Sequence, residues 1–87
     1  ENVYAFPNPV RPNFSGNVTI DGLTAKANIK ITDITGNLVF ETTSEGGSIQ
    51  WDTTAFGKYK VASGVYLILV TSDDNLLTKV TKIMIIR

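Results

Sequence analysis

No window of this 87-residue sequence spaces apolar residues i, i+3, i+4 and i+7 over three turns. A surface helix buries its single apolar stripe by that spacing, so the chain has little means of packing a helix of useful length. It offers alternation instead, together with short apolar blocks set between turn-forming residues. Alternation marks a strand with one solvated face, and an unbroken block suits a strand covered on both. The pattern predicts an all-β chain with no substantial helix.

Read along the chain, Asn2 to Phe6 is a first extended piece, stopped by Pro7-Asn8-Pro9. Each proline lacks the N–H that a sheet ladder needs. Arg11 to Gly16 reads as a loop, Asn17 to Ile20 as a strand, and Asp21-Gly22 as the turn after it. Ala27 to Thr32 alternates most clearly, with Ala27, Ile29 and Ile31 on one face and Asn28, Lys30 and Thr32 on the other. Gly36-Asn37 then predicts a primed hairpin turn into Leu38 to Thr42, since such turns need positive φ. Glu45-Gly46-Gly47 turns the chain into Ser48 to Trp51, and Asp52 to Ser63 is a long irregular crossover with room for a very short helical turn near Thr54 to Phe56.

Val65 to Val70 is an unbroken apolar run that suits a central strand covered on both faces. Asp73-Asp74-Asn75 turns into the last strand, Leu77 to Ile86. There Lys82 alternates with Val80, Met84 and Ile86, while Lys79 and Thr81 alternate with Ile83 and Ile85. Apolar residues fall on both faces, so alternation alone does not choose the buried one. About seven short strands parted by turns predict an immunoglobulin-like antiparallel β-sandwich. A small, partly open barrel is the other architecture the pattern allows.

The chain is one domain near the lower end of what folds alone, hiding roughly 60–65% of the surface of its unfolded form. No cysteine is present to reinforce it, so the 43% apolar content must supply the core. Eight basic and eight acidic residues cancel, which argues against nucleic acid as a partner. No apolar stretch approaches the ~18 residues of a membrane helix, so no transmembrane segment is expected. The start at Glu1, directly ahead of a strand, reads as residues 1–87 excised from a larger multidomain protein.

Chemistry is scarce. Without histidine or cysteine there is no nucleophilic triad, no ordinary zinc site and no haem ligation. The acids Glu1, Asp21, Asp33, Glu41, Glu45, Asp52, Asp73 and Asp74 lie mostly in expected turns, where the side chain serves its own backbone. Asp73-Asp74-Asn75 offers oxygens to calcium, but a turn built from turn-formers explains it better. We expect no catalytic residue, no cofactor and no metal, hence not an enzyme. Trp51, between polar Gln50 and Asp52, reads as a core anchor. Phe56 and Tyr59 lie in the irregular crossover, and an aromatic exposed there is the best candidate for ligand contact.

Four segments in order carry a family resemblance: Tyr4 to Ile20 with its Pro7-Asn8-Pro9, Ile29 to Val39 with Asp33 and Gly36, Trp51 to Val70 with Trp51-Asp52 and Ser63-Gly64-Val65-Tyr66, and Lys79 to Arg87. Together they resemble the C-terminal domains of proteins exported by the type IX secretion system of Bacteroidetes, a family related to the immunoglobulin-like domain of the flagellar hook-capping protein. Asn8 to Pro12 and the stretch from Gly46 to Thr54 are closest to one branch, large surface proteins with β-propellers ahead of this domain. One departure stands out: Thr53 occupies a position where the family often has glycine.

The resemblance implies a non-catalytic module for sorting or outer-membrane attachment, in transit through the periplasm and then at the cell surface. Its partners would be the secretion or attachment machinery, or the preceding domains of its own chain. Lys79, Lys82 and Arg87 on the last strand, with Pro7, Asn8 and Pro9, are the expected contacts, through strand addition at an edge. Two other roles are compatible with the residues. One is binding of a surface polysaccharide or lipopolysaccharide by Phe56 and Tyr59. The other is that of a passive spacer packed on a preceding propeller.

Overall fold

The computed structural model describes residues 3–23, 26–74 and 78–87. Seven strands run in chain order: β1 (Tyr4–Phe6), β2 (Val18–Leu23), β3 (Ala27–Thr32), β4 (Leu38–Ser44), β5 (Gly47–Trp51), β6 (Gly64–Ser72) and β7 (Thr78–Ile85). They form two antiparallel sheets, β1-β2-β5 and β4-β3-β6-β7. This is the expected all-β sandwich of immunoglobulin-like type, with no helix among the described residues. The sheets stay separate, so the partly open barrel is not formed.

Alternation decides what each strand buries. Ile29 and Ile31 of β3, Ile68 of β6, Ile83 of β7 and Val18 and Ile20 of β2 are wholly inaccessible, and meet between the sheets. Trp51, also fully buried, closes one end of this core with its ring tilted against Tyr66 at 5.9 Å. Its indole N–H donates to the Thr54 carbonyl at 3.0 Å, which satisfies the only polar group the ring brings inside. Trp51 is a core residue, as its neighbours implied.

The apolar run in β6 behaves differently from expectation. Tyr66, Ile68 and Val70 are buried, but Val65, Leu67 and Leu69 are only half-buried. The strand is central within its sheet, between β3 and β7, yet only one face has a second sheet packed on it. The other face is shielded only by neighbours such as Lys30 and Lys82. The β6–β7 register runs unbroken from Gly64↔Ile85 to Thr71↔Thr78, and buries Ile83 and Ile85 while turning Val80, Lys82 and Met84 outward. No bulge intervenes.

Several turns also depart from expectation. Asp21-Gly22 does not end β2: the strand continues to Leu23, absorbing the positive-φ Gly22 in a register shift. The β3–β4 hairpin is not a two-residue primed turn. Asp33 and Asn37 close a longer loop, with the Gly36 N–H donating to the Asp33 carbonyl at 3.1 Å and Gly36 itself at φ 96°. A turn followed by a left-handed residue of this kind accommodates the twist of the flanking strands, and glycine takes that conformation without steric penalty. Glu45-Gly46 carries the chain from one sheet to the other, since β4 and β5 are not in the same sheet. Leu77 and Asn75, expected in the last strand and its turn, and Asn2 of the first strand lie outside the described residues.

Candidate functional site

β7 is an edge strand, and such an edge presents a row of unpaired backbone groups. Part of that row is closed from within. After β1 the chain passes through Pro7-Asn8-Pro9, whose two proline peptide bonds are cis, and crosses from one sheet to the rim of the other. There the Asn8 side chain acts as a surrogate peptide. Its Nδ2 donates to the Lys82 carbonyl and its Oδ1 accepts the Met84 N–H, both at 3.1 Å.

Val10 continues the cap. Its N–H donates to the Met84 carbonyl at 2.8 Å, its carbonyl accepts the Ile86 N–H at 2.7 Å, and it lies parallel to Ile85. Val10 is itself buried in the core. Sequence reasoning singled out the prolines and Asn8 but passed over Val10. The available signal was an isolated apolar residue directly after the proline pair.

The other expected contacts fall in different settings. Lys82 is exposed on the outer face of β7, and Lys79 is partly buried on the alternate one. Arg87 turns back on the molecule. Its backbone N–H donates to Ser63 Oγ at 2.8 Å, its Nε–H to the Val61 carbonyl at 2.7 Å, and its Nη2 to the Thr53 carbonyl at 3.2 Å. Arg87 thus fastens the crossover between β5 and β6 to the end of the last strand. Pro7, Asn8, Pro9 and Lys82 are brought together. Arg87 serves the next loop.

Phe56 and Tyr59 are 55% and 66% exposed on that crossover. No helical turn forms at Thr54 to Phe56. Phe56 and Gly57 both have positive φ, 52° and 74°, and the Lys58 N–H donates to the Ala55 carbonyl at 3.0 Å. This is a primed hairpin turn with phenylalanine where asparagine is usual. The tip is tied to β4 by the Phe56 N–H, which donates to the Val39 carbonyl at 2.9 Å. Thr53 has φ 62° and is buried, so it holds the left-handed conformation that the family's glycine would adopt freely. Its hydroxyl donates to the Asp52 carbonyl and accepts from Lys60, which helps keep it there.

The acids act in turns. Asp33 accepts from the backbone N–H groups of Thr35 and Asn37, from the Thr35 hydroxyl and from the Asn37 amide. These donors, the Thr35 hydroxyl first, lower its pKa to about 2. The Asp52 pKa is lowered too, chiefly by the Thr54 hydroxyl. A carboxylate spent on its own loop is a poor general base, because its charged form is what the loop stabilises. What the rim of β7 presents is backbone and one exposed lysine, Lys82.

The structure is thus a two-sheet antiparallel sandwich whose Pro-Asn-Pro segment closes on its last strand, and comparison supplies the family. Residues 4–86 match the family described as the secretion system C-terminal sorting domain, and the chain belongs to that family. Among solved structures it is similar to PorZ of Porphyromonas gingivalis, described as an essential bacterial surface component of the type IX secretion system. The identity is 39% and the TM-score 0.89, over 98% of this chain and 11% of the PorZ chain. No curated protein sequence matches. The resemblance to type IX sorting domains read from the sequence holds, and with it the likeness to the PorZ branch.

Proposed function

We propose that this chain is the non-catalytic C-terminal address of a larger exported protein. It passes in transit through the periplasm and then resides at the cell surface or outer membrane. Its contact with the secretion or attachment machinery is the last strand and the segment that caps it: Pro7, Asn8, Pro9, Lys79 and Lys82, with Arg87 holding the adjoining loop. The observation that carries this reading is the bond between Asn8 and β7. Residues 74 and 76 positions apart, both within segments that mark the family, meet in one pair of hydrogen bonds. A structural requirement of that kind explains why the two motifs occur together.

The test is a fusion of residues 1–87 behind a fluorescent passenger in a bacterium with a working type IX system. Surface fluorescence that disappears in a strain lacking the system is the expected result. A passenger held in the periplasm of the competent strain would contradict the proposal.

A second reading has its own observation. Phe56 sits at positive φ in a turn that favours asparagine, and it and Tyr59 are the two aromatics the crossover exposes. Unfavourable backbone geometry that displays an aromatic side chain is a reason to look for a ligand. A surface polysaccharide stacked on Phe56 and Tyr59 fits. Titrating the folded domain with purified surface polysaccharide checks it, with binding expected to fall at least tenfold in Phe56→Ala.

A further inference from the structure

We infer that the uncapped half of β7 is a docking site for one extended, acid-bearing strand of a protein partner, added beside β7 as a fifth strand of the sheet. The inference rests on the sorting reading above, and specifies how that site is recognised.

Parity along β7 identifies the groups involved. The β6–β7 register has no break, so successive residues point their backbone groups alternately toward β6 and away from it. Met84 points away, because its N–H and carbonyl reach Asn8 and Val10. Val80, Lys82 and Thr78 share its parity. The cap formed by Asn8 and Val10 takes the Lys82 carbonyl and both groups of Met84, then stops. The Lys82 N–H, both groups of Val80 and the Thr78 carbonyl face the same rim, and no hydrogen bond to them is made among the described residues. β1 lies beside β7 but pairs with β2 in the other sheet.

A row of this kind is complementary to one thing, another extended backbone. Sheet edges are ordinarily blunted by proline, a bulge, charged side chains or a covering segment. Here the upper half is covered, and the lower half has neither bulge nor proline but carries lysine, which discourages pairing with a like edge. Val80 is 58% exposed there and Lys82 is exposed beside it. Segment 8–10 shows that the rim accepts an extended chain through these backbone atoms. Thr78 to Lys82 spans about 17 Å at ~3.3 Å per residue, which calls for four or five partner residues.

Charge selects the occupant. On the outer face of its open half β7 carries the exposed Lys82, and the strand has no acidic residue. A symmetric antiparallel pairing with a second copy centred on Val80 sets Lys82 across from Thr78 of that copy, which supplies it no counter-charge. An incoming strand with Asp or Glu across from Lys82 supplies that counter-charge and gains an opposite-charge pair.

The test uses the passenger fusion with Val80→Pro. Proline there removes only an outward N–H and takes no hydrogen bond from β6, a substitution that edge strands tolerate. The surface-displayed fraction is expected to fall at least tenfold in Val80→Pro and to stay within twofold in Val80→Ala. Thermal unfolding verifies that each variant is folded. Thr78→Pro, at the first position of the strand, serves if Val80→Pro does not fold. Lys82→Glu is expected to reduce display while Lys82→Arg retains it.

Folded Val80→Pro or Thr78→Pro displayed like wild type would overturn the docking site. Lys82→Glu displayed like wild type would overturn the acidic partner. A dimer in sedimentation that Val80→Pro dissolves would overturn the choice of a partner over a second copy. A wild-type passenger that is not exported contradicts the sorting reading itself, and the inference falls with it. Export of wild type together with the proline variants contradicts the inference alone.

Discussion

At the scale of single residues, two positions show how this family pattern tolerates change and where it stores sensitivity to acid. Thr53 stands where a glycine is usual, and it keeps the glycine-like conformation at φ 62°. A left-handed residue with a Cβ costs roughly 1–2 kcal/mol. Comparing Thr53→Gly with Thr53→Ala isolates that term, since both remove the buried side chain and its hydroxyl bonds. The glycine variant is expected to be the more stable by about 1 kcal/mol in urea unfolding. Equal stability would mean that the backbone relaxes at this turn.

Asp33 makes the second case. Its folded-state pKa is about 2 against an ordinary 3.8, so folding binds fewer protons there than the unfolded chain does. The resulting stabilisation is present above pH 3.8 and is lost as pH falls towards 2. Asp33→Asn cannot titrate. Its melting temperature is expected to vary less than that of wild type between pH 5 and about pH 2, with a residual slope from Asp52, whose pKa is lowered as well.

Among elements, the contact that matters most is the one between segment 8–10 and β7. Asn8→Ala removes two hydrogen bonds at an exposed rim, and a loss of about 1–2 kcal/mol is expected in chemical unfolding. The same variant leaves the Lys82 carbonyl and the Met84 N–H open, which lengthens the free edge and should promote self-association at high concentration. Light scattering reads that directly. Little of this contact was legible in the sequence. Alternation identifies the inner face of β3 because Asn28, Lys30 and Thr32 are all polar. It fails on β7, where Val80 and Met84 are apolar yet turned outward. The Asn8 bonds join residues from opposite ends of the chain, and no local pattern encodes them. The turn at Phe56-Gly57 was missed for a related reason: phenylalanine is a poor signal for positive φ, and neighbouring chain rather than local preference holds it there.

At the scale of the whole molecule, the seven strands of the described residues, in a chain without cysteine, hold a core in which β3 and β6 are flanked on both sides and β7 only on one. Fold class and family were both readable from alternation and ordered motifs, because each is written in residue types that recur along the chain. The half-closed edge is a property of assembly. It exists only once the β1 end of one sheet has been carried across to the rim of the other. Amide hydrogen exchange over the folded domain measures this most directly. The expected result is slow exchange at Met84 and Ile86 under the cap formed by Asn8 and Val10, slow exchange at Thr81 and Ile83 facing β6, and fast exchange at Val80 and Lys82. Val80 and Lys82 amides as protected as that of Met84 would contradict an edge that is half closed and half open.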